Sequence, residues 1–190
     1  RYISIQKRSI MLLPALAAVG YPAMALLPAL AQEIRPEDST GLALPLLFAR
    51  GLGQLCGPLM LDASKLQRYS ANNGMLLVCL VIFIGTYFLL PLSVGYPFAG
   101  LVLIFSAHMA SNIVFALGTF GILRNFPQKD VAKASAMSWR GQVLTAAVST
   151  GITSAMAQSF GAFTALYSIS LLSLGAVGFL LWLSRTSNVK

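Results

Sequence analysis

Long, continuously apolar runs alternate with short polar breaks along this chain. Six runs, at about 9–31, 41–61, 74–92, 98–123, 138–157 and 162–183, are each long enough to cross roughly 30 Å of hydrocarbon as a helix of about 20 residues. The runs do not alternate residue by residue, so they predict helices rather than barrel strands. The expected fold class is an all-α membrane protein, with one six-helix transmembrane domain covering residues 1–190.

Each run has its own character. The first contains Pro14, Pro22 and Pro28, with Gly20 beside Tyr21, and is expected to kink or unwind near Gly20 to Pro22, where freed carbonyls can face a cavity. Prolines are also common in membrane helices, and that plainer reading stands beside it. The third run is almost without polar side chains and is expected to face lipid around its circumference. In the fourth, His108, Ser111, Asn112, Phe115 and Thr119 recur at spacings of three and four, which draws one largely polar stripe along a helix. The fifth has a stripe of Ser138, Gln142, Thr145, Ser149 and Thr153 beside a small-residue face of Gly141, Ala147, Gly151 and Ala155. Small faces let backbones approach, and hydroxyls can bond their own helix, so this stripe reads as packing ahead of pore lining. The sixth, with Ser168, Ser170, Ser173, Gly175 and Gly178, reads as a packing helix.

Composition agrees with a life in lipid. The chain of 190 residues is 57% hydrophobic and 9% charged, too few charges to cover a water-soluble domain of its size. Its net charge of +8 is scattered between apolar runs, without the basic stripe and interleaved aromatics of a nucleic-acid binder. Instead the charge sorts by side. Arg1, Lys7, Arg8, Lys65, Arg68, Arg124, Lys129, Lys133, Arg185 and Lys190 fall on one face, while the other holds Arg35 among Glu33, Glu37 and Asp38. The positive-inside rule then makes both termini cytoplasmic. Cys56 and Cys79 lack metal-like spacing or a CxxC pattern and read as buried thiols. No removable signal peptide is evident at the start, and the chain opens on Arg1, which leaves room for an upstream portion.

The candidate chemistry gathers around Arg50. It lies inside the second run, and an arginine at mid-membrane depth costs from about 2.5 kcal/mol upward, so it should face protein or water. Gln54, one turn on, shares its face. Counted from their common outer end, Arg50 and His108 both lie about ten residues deep, or roughly 15 Å at the helical rise. No Asp or Glu falls within any predicted span to neutralise the guanidinium. Its countercharge is therefore a solute, a carboxylate from another half, or carbonyls and water near Pro58; an arginine that fixes packing or a gate is the plainer alternative. His108 is expected to be neutral and bonded to a neighbouring helix, with a proton relay as the sharper reading. Arg140 is expected at the cytoplasmic start of the fifth helix, snorkelling or pairing with Asp130 or Asp62, in a structural or gating role. The chain has no G-x-S-x-G turn, no P-loop and no HExxH, so no enzyme activity, metal or cofactor is expected.

The stretch from Gly41 to Leu61, G-L-A-L-P-L-L-F-A-R-G-L-G-Q-L-C-G-P-L-M-L, resembles the eighth helix of major facilitator superfamily permeases, particularly bacterial multidrug and siderophore exporters. The following Gly57-Pro-Leu, Asp62 and Arg68 resemble a degenerate copy of that superfamily's cytoplasmic G-x-x-x-D-R/K loop. Here the Gly-to-Asp spacing is one residue longer, and Ala63 stands where the basic residue would be. S-N-I-V-F from Ser111, with the basic loop after it, is similar to helix ten and its connection onward. The resemblance implies the carboxyl-terminal half of a twelve-helix permease, with an inverted three-plus-three repeat, in the bacterial cytoplasmic (inner) membrane. It also implies that the first, second, fourth and fifth helices line the cavity, while the third and sixth lie outside.

Taken together, the expected function is a secondary active transporter half that moves a small organic solute by alternating access, as an exporter. Arg50, Gln54, His108, Asn112 and Gln142 are the expected substrate-binding or transport residues, and Asp62, Arg68 and Arg140 the expected gating set. The expected partners are membrane lipid, the solute, and an amino-terminal six-helix half or a second copy. A proton is the candidate coupling ion, although no intramembrane carboxylate is there to carry it. The alternative is a non-transporting membrane module, a truncated permease that acts only as an assembly partner.

Overall fold

The computed structural model describes residues 4–70 and 72–183; Arg1, Arg185 and Lys190, three of the expected topogenic charges, lie outside them. The described residues form eight α-helices and no strand: α1 (Ile5–Ala25), α2 (Leu27–Ile34), α3 (Ser39–Leu59), α4 (Ala63–Tyr69), α5 (Asn73–Leu89), α6 (Pro97–Asn125), α7 (Gln128–Phe160) and α8 (Ala162–Leu183). Short 3₁₀ turns at Pro36–Asp38 and Leu90–Ser93 complete the connections.

Among the described residues, five segments are long and apolar enough to cross a membrane: Ile5–Ala25, Thr40–Leu59, Asn73–Ser93, Pro97–Asn125 and Ala162–Leu180. The chain is an integral membrane protein. The fifth predicted span falls inside α7, whose 33 residues reach about 50 Å. Length is no obstacle there, but its serines, threonines and glutamine hold its apolar content below that of the other five.

The expected break in the first span moves. Backbone helix continues through Pro14 and Pro22, and the interruption falls at Leu26, two residues before Pro28. A proline ring clashes with the carbonyl four residues earlier and offers no N–H, so the ladder stops there and resumes with Leu30 N–H donating to the Leu26 carbonyl at 2.8 Å. Buried Leu26, Leu27, Leu30 and Ala31 hold the bend in the largest apolar cluster.

The loop expected at 124–137 shrinks to Phe126 and Pro127, because α6 runs on to Asn125 and α7 starts at Gln128. The predicted polar stretch at 62–73 contains α4, capped by Asp62, whose carboxylate accepts from the Lys65 N–H at 2.8 Å. At the same end of the bundle, Arg124 on α6 donates to the Gln67 carbonyl at 2.7 Å and ties α4 down. Arg8, expected as a flanking charge, is instead inside α1 and buried, because the helix begins four residues earlier than the apolar run.

The third span is not lipid-facing all round. Leu76, Cys79, Leu80, Phe83, Ile84 and Tyr87 of α5 are buried, while Val78, Val81, Ile82 and Leu89 are exposed. A uniformly apolar sequence carries no contrast to mark its inner face; packing against α6 chooses it. At the opposite end of the bundle α8 is fixed by the Tyr167 ring, stacked on Phe88 at 4.3 Å, and by Glu33 of α2, whose carboxylate accepts from the first N–H groups of α8, Ala162 and Phe163. Gly161 makes the one-residue turn between α7 and α8 at φ 86°, a left-handed conformation that favours glycine.

The most extensive helix pairings are α3 with α6 and α1 with α7. In the first, a Cβ on Gly53 would lie 2.3 Å from the Phe105 carbonyl oxygen, and one on Gly57 would lie 2.5 Å from that of Met109. The two backbones touch, which only glycine permits. In the second pairing, Gly141 packs on the Pro14 ring, and the Thr145 hydroxyl donates to the Pro14 carbonyl at 2.8 Å.

Candidate functional site

These two close pairings leave a cavity of about 270 Å³ between α1, α3, α6 and α7. Its polar wall comes from Arg50 and Gln54 on α3, from His108, Ser111 and Asn112 on α6, and from Gln142 on α7. The apolar wall is α1, with Leu13, Leu16, Ala17, Gly20, Tyr21 and Met24. Tyr21 and Phe115 are exposed on its lining, so the cavity opens to the outside of the bundle. Neither α5 nor α8 contributes a lining residue.

The structure therefore brings Arg50, Gln54, His108, Asn112 and Gln142 around one space, although they come from three helices. The glycine contacts explain why. With Gly53 seated on Phe105 and Met109, and Gly57 on Met109, Asn112 and Ile113, the level of Arg50 and Gln54 on α3 is locked to that of His108 and Asn112 on α6.

His108 is 3% exposed, and its Nε2 shares a hydrogen bond of 2.9 Å with the Tyr87 hydroxyl of α5. Phe83 meets the imidazole edge-on, with ring centroids 5.7 Å apart. The histidine is thus bonded to a neighbouring helix. Tyr87, its partner, is a residue that sequence reasoning missed; the one signal was a lone hydroxyl-bearing ring in a largely apolar helix.

Asn112 donates to the His108 carbonyl at 3.1 Å, which turns its amide along α6. Arg50 is half-buried, and its Nε is buried without a hydrogen-bond partner among the described residues. All five acidic side chains lie elsewhere. Glu33 caps α8, Glu37 and Asp38 pair with Arg35, Asp62 caps α4, and Asp130 sits in the first turn of α7. Among the described residues no three His, Cys, Asp or Glu side chains gather as a metal set. The cavity offers one fixed cation, several neutral hydrogen-bonding groups and an apolar wall.

The stripe on α7 divides. Thr145, Ser149 and Thr153 bond carbonyls of their own helix, as the packing reading expects, and only Gln142 reaches the cavity. The small residues Ala147, Gly151 and Ala155 point outward, and of that face Gly141 alone packs closely. Thr119, at the end of the α6 stripe, is exposed and outside the cavity.

The expected gating set does not converge. Asp62 pairs with Lys65 at 3.7 Å, whereas Arg68 lies with its guanidinium 5.7 Å from the centroid of the Tyr69 ring. Hydrogen bonds from the Ser64 hydroxyl and then the Lys65 N–H hold the Asp62 carboxyl below its ordinary range. Arg140 is exposed and lies three turns inside α7, not at its start, because the helix begins at Gln128. It makes no ion pair among the described residues. Asp130 is ten residues away on the same helix, about 15 Å along the axis, and so out of reach.

The chain matches no protein-family model, no curated protein and no solved structure.

Proposed function

We propose that this chain is half of a secondary transporter of the major facilitator type, moving a small organic solute outward by alternating access. It works against an amino-terminal six-helix half or a second copy, with the four-helix cavity as its solute site. One observation carries the reading: the polar side chains of three separate helices converge on a single cavity about halfway through the bundle. Polar groups at that depth are costly unless they face protein or water, and in transporters they mark solute pathways.

The packing order supports an inverted repeat. Exchanging the first span with the fourth, the second with the fifth and the third with the sixth turns the α1–α7 pairing into α6–α3, and turns α1–α8 into α6–α5. All four pairings are present; the α7–α8 pairing has no comparably extensive α3–α5 counterpart. The cavity lining supports the same reading, since the first, second, fourth and fifth spans form it and the third and sixth stay outside.

In this account Arg50 anchors the solute, while Gln54, Asn112 and Gln142 hydrogen-bond it. His108, fixed by Tyr87, sets the local polarity. A transport assay on the full-length protein with Arg50→Ala and Arg50→Lys tests it. Transport falls in the alanine variant and is partly kept in the lysine variant; wild-type transport by both removes Arg50 from the mechanism.

A further inference from the structure

We propose that the cavity selects organic monocarboxylates, an acid group joined to an apolar body, over neutral and cationic compounds. This rests on the reading of the cavity as a solute site. The Arg50 guanidinium stands on its wall, with a buried Nε that has no hydrogen-bond partner among the described residues. Every acidic side chain of the chain is accounted for elsewhere, on caps, around Arg35 or in the first turn of α7. A cation partly withdrawn from water without a counterion is unfavourable, and a bound anion relieves it.

The rest of the lining sets the class. A guanidinium presents a planar fork that matches a carboxylate with two parallel hydrogen bonds. Gln54 and Gln142 add neutral donors around the same space, and His108 is engaged by Tyr87. One cation with neutral amides balances one negative charge. A phosphate dianion would leave an uncompensated charge against the apolar wall. That wall, with Leu16, Tyr21 and Met24, suits a hydrocarbon or aryl body. At about 270 Å³ the cavity is at the small end of ligand sites, which favours a compact solute.

The test is equilibrium binding of three matched probes to the purified full-length protein in lipid nanodiscs: 4-phenylbutyrate, its neutral amide and 4-phenylbutylammonium. The carboxylate binds saturably and at least tenfold more tightly than either other probe. Arg50→Gln brings it down to the level of the amide, whereas Arg50→Lys, which keeps the charge and guards against a folding defect, retains part of the preference. Equal binding of acid and amide, tighter binding of the ammonium, saturable binding of none of the three, or an undiminished preference in Arg50→Gln overturns the proposal. Flux of the same probes through reconstituted vesicles separates the two readings. A carboxylate that binds selectively but is not moved overturns transport and leaves the selectivity standing. Movement of the ammonium in preference to the acid overturns the selectivity and leaves transport standing.

Discussion

Replacing Gly53 by alanine tests the contact that sets the site. The added Cβ would lie 2.3 Å from the Phe105 carbonyl oxygen and 2.9 Å from the Met109 nitrogen, while ordinary contact begins near 3.4 Å. Both neighbours are backbone atoms, so no side chain can turn aside. α3 and α6 must separate by about 1 Å. A gap of that size forfeits a quarter to a half of each van der Waals contact beside it. Overpacking of this kind costs about 1–3 kcal/mol, offset by the roughly 0.5–1 kcal/mol that alanine gains over glycine in a helix. The expected net loss is on the order of 1–2 kcal/mol, read as a lower midpoint in equilibrium unfolding in mixed lipid–SDS micelles. Gly51→Ala and Gly151→Ala are the internal controls, because a Cβ at either position meets nothing within 4 Å. They should be neutral or slightly stabilised by the helix term alone. If Gly53→Ala behaves like Gly51→Ala, the close seating of α3 on α6 is wrong, and with it the shared level of Arg50 and His108.

Further outcomes follow from other contacts. Tyr87→Phe leaves His108 Nε2 without its partner in a buried setting and should cost about 1–3 kcal/mol in the same unfolding assay, whereas Tyr167→Phe, whose hydroxyl bonds the exposed Phe88 carbonyl, should cost less. Glu33→Ala removes the carboxylate that caps α8 and should cost about 0.5–2 kcal/mol, with amide exchange at Ala162 and Phe163 rising first. The Asp62 carboxyl is held below its ordinary range, so its contribution to the α4 cap is present at neutral pH and is lost as pH falls through the lowered folded value. The Lys65 amide resonance should therefore titrate below the usual carboxylate range, and Asp62→Asn should abolish that titration.

Much of this was legible in the sequence, for reasons that differ between elements. Continuous apolar runs mark spans because lipid demands them, and the apolar runs overlap the helices throughout. The α6 stripe was legible because spacings of three and four force residues onto one face, and His108, Ser111, Asn112 and Phe115 line one cavity. The matching level of Arg50 and His108 was legible too, since the helical rise is constant and both line the cavity. What stayed hidden was set by contacts between distant residues. Nothing local to Glu33 says that it caps a helix 129 positions later. Likewise Tyr87 looks like any aromatic in an apolar helix until α6 presents His108 to it. The inner face of α5 has no pattern to read. In the first run, three prolines compete as the site of the break, and the packing around Leu26 and Leu27 decides among them. Finally, α7 runs past its apolar part because its charged amino-terminal turns are themselves good helix, which a search for apolar length cannot see.

A solute site between α1, α3, α6 and α7 that is reached from both sides of the membrane must meet water from each side in turn. Cysteine accessibility tests it most directly, with Cys56 and Cys79 replaced by alanine and single cysteines placed at Gln54, Gln142 and, on the exposed outer face of α7, Val148. A small membrane-impermeant thiol reagent then labels the first two from either side, 4-phenylbutyrate slows this labelling, and position 148 stays unreactive. Labelling of positions 54 and 142 from one side only, or at the rate of position 148, would contradict it.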